Sequence, residues 1–432
     1  MPRNQISPMP PVAEGVGLPW DVPVADAVAE LAAARSAFGD TFVVDSGRDR
    51  YLFTFTPTGV ESFYALPEAD ASKGVADYLM LRRKLPDEIF DGRRTLPGTL
   101  FRKGDVASYL INLESALEVE IAELRESGSV DVFGLTRRLG HRMGLASWAG
   151  PGAAEGETFE ALVRAFDALD GADSFVHPDA MQAVAASGYA NERAALAEIV
   201  DLLSDVVTEG NGHVLFDRIA LAWADEPDSV RRTGIAHDVV LIHIASMSNL
   251  ASALGWALVD LVENPSAAQR VRAGDQEHAS RCALESIRLA QRSIMARTVL
   301  SPVVFDDGEM TYEVGHGTTI ATLLPLTNRT PELGHDIWDP ERWDRHRFTD
   351  TGGLGSAQLV TSFGHGKHSC PAQPFSLAAT TLTMTRLLAT FDLSAGWSSY
   401  PVPVPAQIGG VARADDPCPM AYRRLSRGHS ED

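Results

Sequence analysis

The segment SFGHGKHSCPAQPFS contains a cysteine in a loop that could hold a reactive or metal-binding thiolate. It spans residues 362–376 and places Cys370 after two glycines, two histidines and a lysine, and before two prolines. A structural cysteine packs like a small apolar residue and does not need such a loop. A nucleophilic thiolate needs a nearby base, and a ligating thiolate must be kept deprotonated by its surroundings. The segment therefore predicts a chemical role for Cys370.

Charged residues at two earlier places are candidates for a network behind this loop. The motif ESIR places Glu285 and Arg288 three residues apart on a predicted helix, so their side chains share one face. The motif PERW places Arg342 in an aromatic-rich turn between that helix and Cys370. Taken alone, Glu285 and Arg288 could be a surface ion pair that contributes almost nothing to stability.

In this order the three motifs resemble those of the cytochrome P450 family. Its members carry an E-x-x-R helix, a P-E-R-F-like turn and F-x-x-G-x-x-x-C-x-G around the cysteine that ligates haem. The resemblance implies that Cys370 is the axial thiolate ligand of haem b, with Phe363 packed beside the macrocycle. It implies that Gly364 and Gly366 let the backbone turn tightly and direct N–H groups toward the sulfur. The implied structural charge network behind the loop consists of Glu285, Arg288 and Arg342.

The carboxylates of a haem need cationic or hydrogen-bonding partners. His368, two residues before the cysteine, matches a family position that binds one of them, and Arg297 in MARTVL matches another. A third family position is the arginine of W-x-x-x-R. Phe90 and Arg94 have that spacing here, but Gly92 lies between them and the match is weak.

The implied distal side departs from the family pattern. Members usually carry A-G-x-(E/D)-T on the central helix, where the acid and the threonine deliver protons during dioxygen activation. Alignment through SALGWALVDLVENP puts Ala245 at the alanine position and Ser246 at the glycine position. Ser248 then replaces the acid, and Asn249 replaces the threonine. In the loop, C-x-G has become Cys-Pro-Ala at 370–372.

These departures leave two reaction classes open. Asparagine donates and accepts hydrogen bonds but is not a useful acid near neutral pH. One hypothesis is that the enzyme opens an O–O or N–O bond already present in its substrate, by rearrangement or nitrene-type transfer. The alternative is an O2-dependent monooxygenase, in which Ser246, Ser248 and Asn249 hold a water chain. A haem sensor without turnover is a third possibility.

The resemblance also implies substrate and partners. We expect a small lipophilic or aromatic natural product, bound by segments near residues 65–100 and 174–230. If electrons are needed, we expect a small acidic ferredoxin, with its ferredoxin reductase, to dock on the Cys370 side. Lys367 and His365 would give that side positive charge, and opposite charges steer encounter.

The elements that must position these residues are mainly helical. Apolar residues repeat at three and four from Asp105 onward, and β-branched alternation near 41–56 and 309–326 predicts strands. An apolar run from His237 to Pro265 predicts a buried core helix, which the resemblance places over the haem. We predict one mainly α domain with a minor β part over 1–432. Its predicted parts are an N-terminal extension with a first helix (1–40), a small β-rich part (41–100), and a helical haem-binding part with a C-terminal β segment (101–432).

Composition narrows the class of protein further. The 432 residues are 45% hydrophobic and carry a formal net charge of −21, which argues against a nucleic-acid partner. Three cysteines do not make a disulfide framework and suit a reducing compartment. The N-terminal segment has no apolar core of signal-peptide length. We therefore expect a cytoplasmic, soluble monomer without membrane attachment.

Overall fold

The computed structural model describes residues 6–7, 9–95, 97–170, 177–207, 214–344 and 353–426. Over these ranges helices predominate and the strands form small sheets, which confirms the predicted mainly α class with a minor β part. The helices are α1 (Ala27–Phe38), α2 (Pro57–Ala65), α3 (Lys73–Leu81), α4 (Pro97–Leu100), α5 (Val106–Glu123), α6 (Val132–Trp148), α7 (Gly156–Leu169), α8 (Pro178–Ala186), α9 (Ala190–Val207), α10 (Val214–Ala222), α11 (Asp228–Glu263), α12 (Pro265–Arg272), α13 (Gln276–Ala290), α14 (Leu324–Asn328) and α15 (Gln373–Thr390). The strands are β1 (Ile6–Ser7), β2 (Thr41–Ser46), β3 (Asp49–Thr54), β4 (Ala71–Ser72), β5 (Ser127–Asp131), β6 (Ile294–Val299), β7 (Val303–Asp306), β8 (Thr311–Val314), β9 (Thr319–Leu323), β10 (Phe391–Ala395) and β11 (Pro419–Arg424).

The largest described sheet joins distant parts of the chain. Its order is β2-β3-β9-β6-β4, with β3 and β9 parallel and the other neighbours antiparallel. The prediction of a β-rich part at 41–100 is therefore only partly right, because strands occupy 41–46, 49–54 and 71–72 while α2, α3 and α4 are helical. Strands from 294–323 complete the sheet. In β4, Ala71 and Ser72 pair with Val299 and Thr298, so the start of α3 lies beside β6. Smaller sheets have the orders β1-β8-β7 and β10-β11-β5.

Helix α11 runs through the main hydrophobic core. Along most of its length its side chains are buried, and it packs against α6, α9 and α13. Gly255 permits close approach to α6, because a Cβ there would lie 2.6 Å from the Phe133 ring. Among the described helices, α11 alone is long and apolar enough to cross a membrane by length and composition, and 72% of its most apolar window is buried in the protein. That burial is typical of a core helix.

Side-chain caps fix the starts of the helices that flank the site. Ser72 accepts a hydrogen bond from the Val75 N–H at the start of α3, and Asp275 accepts one from the His278 N–H at the start of α13. Such caps satisfy N–H groups that have no partner within the helix. They therefore help to fix where α3 and α13 begin relative to β6 and the cysteine loop.

Candidate active site

The Cys370 loop is a tight turn held by its own backbone. The Cys370 N–H donates to the Phe363 carbonyl at 2.7 Å, and residues Gly366–His368 form one 3-10 turn. Gly364 and Gly366 have φ angles of +81° and +56°, a region that side chains rarely adopt. A Cβ on Gly364 would also lie 2.7 Å from the His368 carbonyl oxygen. Both positions therefore require glycine.

Backbone N–H groups near the sulfur come from residues after the cysteine. The Gly364 N–H donates instead to Thr361 Oγ1 at 2.7 Å. Cys370 has an exposed surface, but the protein atoms around the sulfur partly desolvate it and so raise the pKa of the thiol. Hydrogen bonds from the backbone N–H groups of Ala372 and Gln373 act to lower this pKa. The chain bends so that the residues after the cysteine, rather than the glycines before it, supply these donors.

A buried charge network continues into this loop. Glu285 and Arg288 are paired at 2.8 Å with fully buried side chains, and Arg342 Nε lies 3.4 Å from Glu285. Asn328, at the end of α14, accepts from Arg288 through its carbonyl at 2.5 Å and exchanges two hydrogen bonds with the Thr361 backbone. The network thereby reaches Thr361, whose hydroxyl accepts from Gly364.

Arg297 and His368 meet beside the cysteine loop. Arg297 Nη1 lies 2.7 Å from His368 Nε2, and the Arg297 side chain is fully buried. It also donates to the carbonyls of Phe63 and Ala71. Its nearest described carboxylate, Glu68, lies 3.4 Å away and is half exposed. Two nitrogen-bearing side chains thus converge where little negative charge is buried with them.

Arg94 is engaged elsewhere, and its prediction as a third carboxylate partner is not supported. Its guanidinium pairs with Glu226, donates to the Ala222 carbonyl and lies over the Trp223 ring. These residues lie at or just after the end of α10, and the side chain is about a third exposed (36%). The glycine at 92, with φ of +66°, turns the chain at this point.

Three of the four predicted distal residues line a cavity of about 390 Å³. Ala245, Ser248 and Asn249 contribute one wall of this cavity. Ser246 is not among the lining residues, and its hydroxyl donates to the Ile242 carbonyl one turn earlier. The expectation that Ser246 helps to hold a water chain is therefore not supported. The other walls come from α3 and the residues after it, β6 and the segment 407–411.

Two lining side chains make specific contacts away from α11. Asn249 Oδ1 accepts the Val411 N–H at 2.9 Å. The Ser248 hydroxyl donates to Asp170 at 3.0 Å, and Asp170 is ion-paired with Lys84. Burial raises the pKa of Asp170, but the charge and hydrogen bonds of Lys84 outweigh this and hold the pKa below its usual range.

Sequence reasoning missed Lys84, Asp170 and Lys73. Asp170 follows α7 and Lys84 follows α3, so only the tertiary fold brings them to Ser248. Lys73 begins α3, lines the cavity, and is close enough to Cys370 and His368 to act on the pKa of both groups. The only local signal for Lys73 is its place directly after the short strand β4.

The two other cysteines and His243 lie in the core. Cys370 is exposed, whereas Cys282 and Cys418 are buried, and burial raises the pKa of each buried thiol to about 12. Within the described residues, no group of three or more His, Cys, Asp or Glu side chains could hold a metal ion.

Comparison with known proteins gives one family similarity. The cytochrome P450 family model matches residues 213–414, which include α11, the ESIR and PERW motifs and the cysteine loop. The chain is 23% identical to geranylhydroquinone 3''-hydroxylase of Arnebia euchroma over 49% of this chain and 46% of that relative. It is 26% identical to human 24-hydroxycholesterol 7-alpha-hydroxylase over 42% of this chain and 37% of that relative. It is 31% identical to sterol 14-demethylase of Arabidopsis thaliana over 26% of this chain and 24% of that relative.

Over residues 213–414, a little under half of its length, the chain is therefore similar to the cytochrome P450 family. It spans less than half the length of each of these curated relatives. The family that this part of the chain resembles implies a haem iron cofactor.

The residues around this cysteine loop fit a haem. Cys370 provides one exposed thiol at the end of a rigid loop. Arg297 and His368 converge close by, and a buried guanidinium with only a half-exposed carboxylate nearby suits a carboxylate-bearing ligand. Lys73, paired with Asp77, adds a further cation near His368. These residues would hold the iron and the carboxylates of a haem.

Proposed function

We propose that this protein is a haem-thiolate enzyme that modifies a small lipophilic or aromatic natural product. Its haem would be haem b, ligated by Cys370 and held by Arg297 and His368. The observation that carries the proposal is the contact between Arg297 Nη1 and His368 Nε2 at 2.7 Å. His368 is two residues before Cys370, whose thiol is exposed. When bound, the haem would supply the redox and bond-cleaving chemistry, with electron density donated by the thiolate.

The chain's own residues would position both groups. The Ala372 and Gln373 N–H groups would favour the thiolate form of Cys370, and the network from Glu285 to Thr361 would fix the loop. On the distal side, Asn249 and Ser248 would orient the substrate in the 390 Å³ cavity. A volume of this size is within the usual range for small-molecule sites, about 300–1,000 Å³.

For the reaction, we propose the opening of an O–O or N–O bond that the substrate already carries, by rearrangement or nitrene-type transfer. Positions 245–249 of α11 carry no titratable side chain, and the carboxamide of Asn249 is anchored to Val411. Asp170 is paired with Lys84, and its lowered pKa makes it a poor proton donor near pH 7. This wall of the cavity therefore offers a substrate fixed hydrogen bonds and no ready proton donor.

The alternative is an O2-dependent monooxygenase, and one contact favours it. Asp170 lies 3.0 Å from Ser248, so a carboxylate from outside α11 reaches the position of the missing acid. Relatives named as hydroxylases are consistent with this alternative. Electrons would then come from a ferredoxin and its reductase. Burial lowers the pKa of His365, so this side chain adds no charge to the Cys370 side near pH 7, whereas Lys367 is exposed.

One experiment tests the haem assignment. Reduced protein exposed to carbon monoxide should show the strongly red-shifted Soret band of a thiolate complex, and Cys370→Ala should abolish it. Cys418→Ala, at a buried cysteine, is the matched control and should keep the band. An unchanged band in Cys370→Ala protein with full haem content would overturn the assignment.

A second experiment separates the reactions. Turnover of the substrate under strict anaerobiosis supports the opening of a substrate bond. An absolute need for dioxygen, with one labelled oxygen atom in the product, makes this protein a monooxygenase. A haem sensor would bind ligands without either product.

We also propose that the protein is a cytoplasmic monomer. Its three free cysteines fit a reducing compartment.

A further inference from the structure

Asn249 presents hydrogen-bond donors to the cavity. The Val411 backbone N–H can only donate, so the side-chain atom that it contacts at 2.9 Å must be the carbonyl oxygen. This leaves the Nδ2 amide group without a described partner on a side chain that is exposed in the cavity wall. Gly410 makes the contact possible, because a Cβ there would collide with Asn249 Oδ1.

Ser248 presents an acceptor. Its hydroxyl lies 3.0 Å from Asp170, whose buried carboxylate is ion-paired with Lys84. An ionised carboxylate has no proton to donate, so the serine hydroxyl must donate to it. The lone pairs of Ser248 Oγ are then left for a ligand in the cavity.

The rest of the cavity wall is mainly apolar or already paired. Lys73 and Asp77, which also line the cavity, form an ion pair with each other. Lys84 and Asp170 likewise balance each other, so the wall offers no buried net charge to a charged ligand. The apolar lining residues include Met80, Leu81, Ile244, Ile294, Met295 and Ile408.

We propose that Ser248 and Asn249 together select a ligand with a neutral head group that carries a donor beside an acceptor, of the amide, hydroxamate or oxime type. An N–H or O–H of the head group would donate to Ser248 Oγ, and its carbonyl or nitrogen would accept from Asn249 Nδ2. The apolar wall would bind the remainder. This inference rests on the proposed function, and it specifies the substrate class of the same site.

The donors and acceptors that Ser248 and Asn249 offer discriminate against other head groups. An ionised carboxylate has acceptors only, so it would face the lone pairs of Ser248 with the Asp170 charge behind them. An ammonium has donors only and would leave Asn249 Nδ2 opposed by another donor. An N,N-dimethylamide keeps the acceptor but loses the donor. Sites that hydrogen-bond a ligand group strongly reject analogues that lack it, because their own polar groups are left unpaired.

The test is a matched ligand series with the purified ferric holoenzyme. The probes are 4-phenylbutyramide, its N,N-dimethylamide, 4-phenylbutyrate and the methyl ester, and their dissociation constants are measured by equilibrium dialysis. We expect the primary amide to bind at least about tenfold more tightly than the other three, as expected for one oriented hydrogen bond. Equal affinity for the primary amide and the dimethylamide would overturn the proposal.

Variants then assign the preference to residues. Asn249→Asp keeps an oxygen for the Val411 N–H but replaces the donor with an acceptor, so the amide preference should be lost. Ser248→Ala should remove it as well. Ser252→Ala is the matched control, because Ser252 lies one turn along α11 and does not line this cavity. The assignment is contradicted if Asn249→Asp still prefers the primary amide. It is also contradicted if Ser252→Ala loses this preference as fully as Asn249→Asp does.

Failure of this inference is distinguishable from failure of the proposed function. Haem content and the carbon monoxide spectrum are recorded for every preparation. A normal thiolate spectrum with no amide preference rejects the inference alone. Absence of the thiolate spectrum in the unaltered protein rejects the proposed function. The ligand series on unaltered protein decides the question even where a variant does not fold.

Discussion

At the scale of single residues, Arg297 is the side chain whose environment most needs an additional partner. It is fully buried, and burial lowers its pKa, against the opposing attraction of Glu68. A buried charge is costly unless it is paired and hydrogen-bonded. Carbonyl oxygens and a histidine nitrogen satisfy its N–H groups, but its one described counter-ion is half exposed. A carboxylate of the haem would supply the missing charge.

We predict that Arg297→Met weakens haem retention. A charge-assisted hydrogen bond contributes about 1.5–3 kcal/mol, so haem dissociation should become roughly ten- to a hundredfold faster. The measurement is the rate of haem transfer to an excess of a haem-scavenging protein. Arg94→Met is the matched control, because Arg94 pairs with Glu226 away from the loop, and its rate should be unchanged.

The substitution also strands the carbonyls of Phe63 and Ala71, so global unfolding is measured alongside. Arg297→Lys keeps a charge but loses the planar fork of donors, and we expect an intermediate rate. Haem loss that is equally fast in Arg297→Met and Arg94→Met would contradict the role given to Arg297.

At the scale of elements, the short helix α14 links the charge network to the cysteine loop. Its last residue, Asn328, is fully buried and bonds to the Arg288 backbone on α13. The same side chain donates to the Thr361 carbonyl at 2.9 Å and accepts from the Thr361 N–H at 2.8 Å. Since Thr361 Oγ1 accepts from Gly364, α13, α14 and the loop form one hydrogen-bonded unit.

We predict that Asn328→Leu loosens this unit. The substitution keeps a similar size but leaves the Thr361 N–H and two carbonyls unpaired in the interior. Each buried unpaired group costs about 1–3 kcal/mol, so unfolding should occur at a clearly lower denaturant concentration. Chemical denaturation and the carbon monoxide spectrum are the measurements, and both should change.

Asn191→Leu, at an exposed asparagine on α9, is the control and should change neither measurement by much. If Asn328→Leu lowered the free energy of unfolding but left the carbon monoxide spectrum unchanged, the inferred link from Asn328 to the cysteine loop would be wrong.

Much of this element pattern follows from the sequence. The run starting at Asp105 is α5, with Asp105 at its N-terminal boundary, and the break near Gly274 separates α12 from α13. The apolar run predicted from His237 is α11, which begins earlier, at Asp228, because its polar first turns lack the apolar signal. Residues 324–326 differ from the expected β pattern and lie in α14, where Pro325 in the first turn favours a helical start.

At the scale of the whole molecule, the distal wall is assembled from elements that no local pattern connects. Ser248 lies on α11, Asp170 follows α7 and Lys84 follows α3. Periodicity predicts each helix and the face that it buries, but not which polar residue meets which. The cysteine loop could be predicted from the sequence because its residues are adjacent in the chain. The contacts among Lys84, Asp170 and Ser248 could not be predicted, because only the packing of the helices brings these residues together.

A row of hydrogen-bonded side chains, here called the histidine clamp, connects α11 to α6 and α7. The Trp148 indole N–H donates to His243 Nδ1 at 3.2 Å, so that nitrogen must be unprotonated. His243 Nε2 then donates to His141 Nδ1 at 2.9 Å, and His141 Nε2 lies 3.4 Å from Asp167. Every ring nitrogen is matched only when both histidines are neutral.

Both histidines have lowered pKa values. Burial is the main cause for each, with repulsion from His141 and Arg137 adding to it at His243, and attraction to Asp167 opposing it at His141. In the unfolded chain a histidine takes up a proton near pH 6.5. The charged and titratable groups that face the pair are Arg137 on α6, Asp167 on α7 and Asp170 just after α7.

We therefore predict that stability falls as the pH decreases through about 6.5. Below that pH the unfolded chain binds more protons than the folded one, so the contribution is fully present only at higher pH. The slope approaches about 1.4 kcal/mol per pH unit for each histidine. Asp260 opposes this trend, because burial raises its pKa to about 6, but it is unchanged in the comparison proposed next.

The decisive comparison uses denaturation of the holoenzyme between pH 5 and 8 for the unaltered protein and the double variant His141→Gln with His243→Gln. Glutamine keeps an acceptor for Trp148 and a donor toward the next side chain but does not titrate, so the pH slope should flatten even if absolute stability falls. His316→Gln, at an exposed histidine, should keep the original slope. An equal slope in the double variant would mean that His141 and His243 of the histidine clamp are not the pH-sensitive element. Other groups, such as His278 and His335, whose pKa values burial also lowers, would then account for the acid destabilisation.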